Sequence, residues 1–210
     1  MNLHGYKSSI PEQESGEWKI KKFEVSKDDA ERFNFSQLFN FHPERSILPG
    51  SYTSLVHSSI GMMMSDTPAE LRDHFRCYYE AHGDVLINGL GLGIIAECLV
   101  DKESVDSVTV NAIDSDVLKM VHPHIDQRII INNADALTWK PINGTRYNVV
   151  WHDIWPEINA DNYDEMKLLH RRYGHWLKGT HWQGSWGKDY IFKELREERE
   201  SERIYSMFRR

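Results

Sequence analysis

The stretch from residue 85 to residue 93, Val85-Leu86-Ile87-Asn88-Gly89-Leu90-Gly91-Leu92-Gly93, joins a short apolar run to three alternating glycines, and a helical pattern begins at residue 94. Glycines permit a tight turn and let the backbone come close to a ligand, while the start of the following helix offers unpaired N–H groups. A bare G-x-G-x-G is weak evidence, but the same motif between a strand and a helix is much stronger. We therefore predict that Gly89, Gly91 and Gly93 face a bound ligand. The alternative is a tight turn that binds nothing.

Three more short apolar runs follow this motif, and helical segments separate them. The runs are residues 108–110, 129–131 and 149–151. Continuous rather than alternating apolar strands, spaced by helices, are typical of a parallel sheet that is covered on both faces. The sequence thus predicts an α/β, Rossmann-like fold with a mostly parallel sheet and helices on both faces, in which residues 83–152 form a nucleotide-binding unit. No convincing strand follows the helix predicted at residues 163–173, so we expect the C-terminal strands to be reduced.

The residues before this unit predict a small N-terminal β-hairpin region. Residues 18–25 alternate apolar residues with lysines, which is typical of an edge strand. Residues 51–56 and 60–64 predict two further strands, and Pro68 begins a helix that reaches about residue 82. We accordingly expect three parts: N-terminal strands, hairpin and lead-in helix in residues 1–82, the Rossmann-like core in residues 83–180, and a Trp/Gly loop with a charged helix in residues 181–210.

The Trp/Gly loop is the segment Trp182-Gln183-Gly184-Ser185-Trp186-Gly187. Two tryptophans and two glycines in a loop suit either a lid that stacks on a flat ligand or a clasp that packs over the sheet. The sequence favours neither alternative.

Acidic residues stand at the ends of three predicted strands of the core, where open parallel sheets bind their ligands. Asp114 follows the second strand at the spacing expected for a carboxylate that holds a ribose hydroxyl, with Asp116 either the next choice or a helix cap. Asp135, beside Ala136, follows the third strand and predicts either a contact to an exocyclic amine such as adenine N6 or a turn cap. Asp153 ends the fourth strand and predicts a general base or an amine anchor, the alternative being a structural role at a loop start.

Together these motifs resemble the spermidine synthase branch of the class I S-adenosylmethionine-dependent methyltransferases over roughly residues 51–166. A group of uncharacterised methyltransferase-like proteins, many from bacteriophage genomes, is more similar still, because it shares His152-Asp153-Ile154-Trp155 and the Trp/Gly segment. The resemblance implies that S-adenosylmethionine, or decarboxylated S-adenosylmethionine, is the cofactor and that Asp153 is the base for the transfer. It also implies a set of cofactor contacts, namely Gly89, Gly91, Gly93, Asp135 and Ala136.

The sequence departs from that branch at the ribose and substrate positions. Ala112 stands where the family has the glutamate that holds the ribose, so this anchor is lost or is replaced by Asp114 or Asn111. The tyrosine that the resemblance places within Glu70-Leu71-Arg72-Asp73 is absent, and so is a second acidic residue within residues 153–156. These departures argue against a polyamine synthase.

Composition narrows the partners and the location. The 210 residues carry a net charge of -7, which lowers the expectation of nucleic-acid binding. No apolar run is long enough to span a bilayer and no signal-peptide pattern begins the chain, so we expect a cytoplasmic protein. Cys77 and Cys98 are expected to be reduced thiols, and no histidine pair has a recognised metal-site spacing. Residues 33–41 and 18–25 carry more apolar surface than a small appendage can bury, which predicts a homo-oligomer.

Two functions follow from these patterns. The first is a transferase that moves a methyl or aminopropyl group from a sulfonium donor to an unknown small-molecule acceptor, which Asp153 deprotonates or orients. The second is a non-catalytic descendant that binds a nucleotide or a protein partner. Asp135 and Asp153 favour the first function, whereas Ala112 and the shortened sheet favour the second.

Overall fold

The computed structural model describes residues 3, 5–39, 45–142 and 144–208, whose strands form two sheets. The N-terminal sheet is antiparallel and has four strands in the order β1 (Gln13–Ser15), β2 (Trp18–Val25), β3 (Gly50–His57) and β4 (Gly61–Ser65). Helix α1 (Lys27–Phe39) connects β2 to β3. Because β2 pairs with β1 on one side and β3 on the other, the prediction of an edge strand was wrong. Exposed lysines also occur on inner strands when one face of an antiparallel sheet meets water.

The second sheet is parallel and has the strand order β7-β6-β5-β8-β9. The predicted α/β, Rossmann-like fold is therefore confirmed. The strand of residues 83–88 leads directly into the glycine motif. The two strands beside it are followed by the predicted acidic residues Asp114 and Asp153. The strands are β5 (Gly83–Asn88), β6 (Val105–Ala112), β7 (Ile130–Asn133), β8 (Tyr147–His152) and β9 (Leu177–Ser185).

The fifth strand, β9, was not predicted, and it contains most of the Trp/Gly segment that was expected to be a loop. Its sequence, Leu-Lys-Gly-Thr-His-Trp-Gln-Gly-Ser, has no apolar run, and much of it is exposed because it lies at the edge of the sheet. The predicted division between residues 180 and 181 falls inside this strand. Within the described residues the sheet ends at β9, and the expectation that no strand follows the helix predicted at residues 163–173 was wrong.

Helices cover both faces of the parallel sheet. One face, with Val85 and Ile87, packs against α2 (Pro68–Asp73), α3 (Phe75–Glu80), α4 (Ile94–Val100) and α5 (Ser115–Val121). The other face, with Leu86 and Val150, packs against α6 (Asn162–Gly174) and α7 (Lys188–Phe208). Cys77 on α3 and Cys98 on α4 are buried and free, as predicted. None of the helices in the described ranges is both long and apolar enough to cross a membrane.

The lead-in helix predicted from residue 68 to about 82 is two short helices. α2 ends at Asp73 and α3 begins at Phe75, so His74 lies at the break between them. Only 3% of the surface of His74 is exposed.

The aromatic residues of α1 are exposed. Phe35 and Phe39 are 65% and 68% exposed, and their rings contact each other edge to face. Phe41, which belongs to the same aromatic-rich segment, lies outside the described residues. The homo-oligomer therefore stays a prediction.

A row of buried polar side chains crosses the parallel sheet at its carboxyl edge. Asn132, Asn111, Asn88 and His152 occupy paired positions on β7, β6, β5 and β8. Each amide donates to the next residue, with Nδ2 to Oδ1 distances of 3.0 Å from Asn132 and 2.8 Å from Asn111, and 2.8 Å from Asn88 Nδ2 to His152 Nδ1. The Tyr173 hydroxyl of α6 lies 3.2 Å from Asn88 Oδ1, and its one proton goes to the nearer Ala136 carbonyl at 2.7 Å. These hydrogen bonds satisfy the polar groups of Asn88, Asn111 and His152, three residues that are 1% exposed or less.

We predict that Asn88→Ala lowers the free energy of unfolding by about 3 kcal/mol, because it leaves buried groups on Asn111 and His152 without their partner. Asn132→Ala is the matched control: it removes a half-buried amide at the end of the row and should cost about 1 kcal/mol. Urea denaturation measures both. Equal losses in the two variants would show that the row does not act as a connected unit.

Candidate functional site

A cavity of about 370 Å³ opens at the carboxyl edge of the parallel sheet. Its walls come from the glycine loop after β5 and from the residues that follow β6, β7 and β8, which is where parallel sheets bind ligands. The N-terminal sheet closes one side with Trp18, Leu55 and Met64. Of the residues predicted from the sequence, the cavity brings together six: Gly89, Gly91, Asp114, Asp135, Ala136 and Asp153. Gly93 is not among the lining residues.

The glycines of the motif are required by contacts within the chain. All three have positive φ angles, of 105° at Gly89, 53° at Gly91 and 75° at Gly93. A Cβ at Gly89 would overlap the backbone carbonyl of Asp153, and one at Gly93 would lie 2.9 Å from the Cγ2 atom of Ile125. The motif is thus fully explained as a tight turn that lets β5 and β8 approach each other, and a ligand is not needed to account for it.

Met64 of β4 occupies the space above Gly91. A Cβ at Gly91 would overlap the Met64 sulfur, and that sulfur accepts a hydrogen bond from the backbone N–H of Leu92 at 3.0 Å. Nothing in the sequence indicated that a methionine of this strand would reach the glycine loop. A ligand that needs the Leu92 N–H must displace this thioether.

Asp114 is the cap of α5 and a bridge between the two sheets. Its Oδ1 atom accepts from the N–H groups of Asp116 and Val117, at 2.8 and 3.1 Å. Its Oδ2 atom accepts from the indole N–H of Trp18 at 2.8 Å. The cap is therefore Asp114, and the suggestion that Asp116 caps this helix was wrong. Asn111, the other candidate for the ribose anchor, has both amide atoms engaged in the polar row.

Asp135 forms a turn cap and also lines the cavity. Its Oδ1 atom accepts from the Leu137 N–H at 2.8 Å, while its Oδ2 atom has only a 3.4 Å contact with the Thr138 hydroxyl. Ala136 is buried, and its carbonyl accepts from the Tyr173 hydroxyl at 2.7 Å. Both alternatives for Asp135 are thus compatible, because the cap uses mainly one of the two carboxylate oxygens.

Asp153 lies at the far end of the cavity in an acidic and poorly solvated environment. Burial, followed by the charges of Glu70 and Asp73, raises its pKa to about 7. Burial and the charge of Asp73 likewise raise the pKa of Glu70 to about 7, although Arg45 opposes that rise. The indole N–H of Trp151 opposes the rise at Asp153 without forming a hydrogen bond of normal geometry. Two carboxyl groups of this end therefore titrate close to neutral pH.

His74 stands beside Asp153, with 3.8 Å between its Nδ1 atom and Asp153 Oδ2. Burial lowers the pKa of His74 to about 4, although the charge of Asp73 opposes that shift. The ring is consequently neutral near pH 7, and the contact is neither a salt bridge nor a hydrogen bond. Sequence reasoning missed both Glu70 and His74, which lie on the lead-in helices, far along the chain from the predicted strand ends.

Asp73 holds the lead-in helices against the end of the cavity. Its Oδ2 atom accepts from Arg45 Nη1 at 2.7 Å and from the indole N–H of Trp186 at 3.1 Å. The Trp186 contact joins α2 to the residue that follows β9. The acidic end of the cavity is thus built from three distant parts of the chain.

The Trp/Gly segment packs against the sheet. Trp182 stacks on Trp151, with ring centroids 5.9 Å apart and an interplanar angle of 12°, and Gly184 has no room for a Cβ beneath these rings. Gln183 is hydrogen-bonded to His152 at 2.9 Å, which extends the polar row to β9. These contacts are those of a packing clasp, and only Trp186 of the segment lines the cavity.

No protein-family model matches the sequence, and no curated protein is similar to it. Solved structures with a similar arrangement include the CcbJ methyltransferase from Streptomyces caelestis, at 18% identity and a TM-score of 0.44, covering 54% of this chain and 46% of that one. The DhpI-SAM-HEP complex has 14% identity and a TM-score of 0.43, covering 54% and 51%. A precorrin 8W decarboxylase from Methanobacterium thermoautotrophicum has 13% identity and a TM-score of 0.40, covering 55% and 61%. The chain thus covers less than two thirds of the length of each, and the resemblance to the spermidine synthase branch stays a prediction.

We predict that Asp153→Asn stabilises the protein at pH 8 relative to the wild type. A carboxyl group whose pKa is raised to about 7 on folding keeps its proton when the unfolded chain has lost it. The Asp153 carboxyl therefore makes the wild type lose on the order of 2–4 kcal/mol as the pH rises from 4 to 7, and the asparagine variant lacks this contribution, whereas the loss caused by Glu70 is common to both proteins.

Urea denaturation from pH 4 to pH 8 measures this difference. Asp106→Asn, at the exposed amino end of β6, is the matched control: it keeps Asp153, so its stability should follow that of the wild type across this pH range. A stability difference for Asp153→Asn that is the same at every pH would contradict the raised pKa.

Proposed function

We propose that this protein is an S-adenosylmethionine-dependent transferase that moves a methyl group to an amine acceptor. The observation that carries the proposal is a single cavity that holds Asp114 and Asp135 at one end and Glu70 and Asp153 at the other. The first end suits an adenosyl group and the second suits a basic acceptor. The volume of the whole cavity lies within the range of about 300–1,000 Å³ usual for small-molecule sites.

The donor end offers hydrogen-bond acceptors and apolar surface. A carboxylate can accept about four hydrogen bonds, so Asp114 and Asp135 each keep capacity beyond the contacts described above. Asp114 would hold a ribose hydroxyl, and Asp135 would accept from an adenine amine beside the buried Ala136. Bound S-adenosylmethionine would supply an electrophilic methyl group on sulfur and leave the site as the thioether.

The acceptor end suits an amine because of its charge. Glu70, Asp73 and Asp153 cluster there with Arg45, which pairs with Asp73, so three acidic groups face one cation, and burial with the neighbouring acidic charges raises the pKa values of Glu70 and Asp153. A cationic ammonium group would lower both pKa values and bind favourably. Asp153 would then take a proton from that nitrogen, and a pKa near neutrality suits a general base.

A second donor, decarboxylated S-adenosylmethionine, is favoured by one feature of the cavity. No lysine or arginine of the described residues lines it, whereas the carboxylate of S-adenosylmethionine calls for a cation or for N–H donors. The decarboxylated donor has no such group and would transfer aminopropyl. Direct comparison of the two donors decides between them.

A non-catalytic binding protein is the candidate function from a different class, and Met64 favours it. The thioether already takes the Leu92 N–H at the loop where the donor would bind. A protein that no longer catalyses transfer could keep this contact permanently. A transferase requires Met64 to change rotamer, which an unbranched side chain does at little cost.

We predict that calorimetry detects binding of S-adenosylmethionine and of its thioether product. Asp135→Asn should weaken binding by about tenfold, because it removes a charged hydrogen-bond acceptor, while Asp153→Asn should stay within a few-fold. Asp106→Asn serves as the control variant. Absence of heat with S-adenosylmethionine, the thioether and the decarboxylated donor would refute the proposed donor site.

We predict further that Asp153→Asn lowers the turnover rate by about 10²–10⁴, the usual cost of losing a positioned general base. The measurement is transfer of label from methyl-labelled S-adenosylmethionine to a mixture of amines. Asp106→Asn should retain the wild-type rate. Full activity in Asp153→Asn would end its assignment as the base, and donor binding without transfer to any amine would favour the non-catalytic alternative.

A further inference from the structure

Two buried polar atoms beside Asp153 have no hydrogen-bond partner. They are the Nδ1 atom of His74, a residue that lines the cavity, and the indole Nε1 atom of Trp151, and both atoms are buried. Buried polar groups in folded proteins are almost always hydrogen-bonded, so each exception calls for an explanation. The Trp151 N–H faces the Asp153 carboxylate, so His74 Nδ1 is the atom for which a polar group of a ligand in the cavity is the missing partner.

The distance between His74 Nδ1 and Asp153 Oδ2 fits one nitrogen held between them. The two atoms are 3.8 Å apart, which is too long for a direct hydrogen bond. For a nitrogen placed about 2.9 Å from each atom, the angle at the nitrogen between the two acceptors is about 80°. Two N–H groups of that nitrogen could therefore donate with good geometry. A neutral imidazole has one acceptor nitrogen, and Nδ1 takes this role when Nε2 carries the proton.

We propose that His74 is a specificity-determining residue that, with Asp153, binds the acceptor nitrogen through two N–H groups and thereby selects primary amines. This inference rests on the proposed function for the identity of the site. In its reacting, neutral form a primary amine keeps two N–H groups for the pair, a secondary amine keeps one and a tertiary amine none. A more substituted amine would leave one of the two acceptors buried and unpaired, which is the costly arrangement.

The position of His74 is set by its backbone hydrogen bonds and by Trp151. His74 is held by the backbone bond from its N–H to the Leu71 carbonyl at 3.2 Å and by the Tyr78 N–H to its own carbonyl at 2.9 Å. Its ring packs edge-on against Trp151, with centroids 6.4 Å apart. The imidazole therefore lies between the Trp151 ring and the Asp153 carboxylate, at the wall of the cavity.

The test compares butylamine with N,N-dimethylbutylamine as probes, by calorimetry at pH 8 with the thioether product present. The wild type should bind butylamine at least about tenfold more tightly than the tertiary probe. At pH 8 the tertiary probe is protonated and has a single N–H, which cannot serve both acceptors. His74→Phe should bring the affinity ratio close to one by weakening butylamine alone. His74→Asn, which keeps an acceptor near the Nδ1 position, should restore part of the preference, and the exposed His124→Phe should leave it unchanged.

An unchanged affinity ratio of the two probes in His74→Phe would overturn the proposal. Equal binding of the two probes by the wild type would also overturn it, and this is the result expected if a water molecule fills the gap between His74 Nδ1 and Asp153 Oδ2. If His74→Phe does not fold, the ring nitrogen NMR signals of His74 in the wild type decide, since they must shift on addition of butylamine and not of the tertiary probe. A titration with the thioether alone separates the role of His74 in amine selectivity from the proposed transferase function. Thioether binding without amine selectivity removes the role of His74 only, whereas amine selectivity without thioether binding removes the transferase.

Discussion

The polar row across the parallel sheet is the constraint on which the site depends. Asn132, Asn111, Asn88 and His152 are paired across four strands, and each buried amide has the next side chain as its partner. A shift of any strand by one residue would turn its polar side chain to the opposite face and leave its neighbours unsatisfied. The row therefore fixes where the strands end relative to one another. Because the glycine loop, Asp114, Asp135 and Asp153 all follow those ends, it also fixes the distances among them.

The second determinant is the N-terminal sheet, which is a wall of the cavity. Trp18 of β2 donates to Asp114, and Met64 of β4 accepts from the Leu92 N–H, so the antiparallel sheet is hydrogen-bonded to two of the loops at the carboxyl edge. A small sheet of this kind gains stability by packing on a larger core. The consequence for function is that the cavity lies between two sheets, and a ligand there would contact both.

The acidic end shows how packing creates reactive groups from ordinary ones. Glu70 and Asp153 come from separate segments, and burial is the largest cause of the raised pKa of each. His74 is moved in the opposite direction by the same cause, since burial disfavours the charged form of an acid and of a base alike. Neutral imidazole next to carboxyl groups that titrate near neutrality is an arrangement that accepts protons and hydrogen bonds, which is the basis for assigning this end to an amine.

The sequence by itself determined the parallel sheet, the turn after β5 and the acidic residues at the strand ends, because continuous apolar runs, alternating glycines and strand-end carboxylates are local patterns. It could not determine β9, whose polar residues become a strand only because β8 offers an unpaired edge. Nor could it show that Asp114 caps α5 or that Met64, Glu70 and His74 line the cavity. Those roles arise where two sheets and a broken helix meet, and contacts between segments far apart along the chain leave no periodic signal in it. Tertiary packing therefore decided the chemistry of the site.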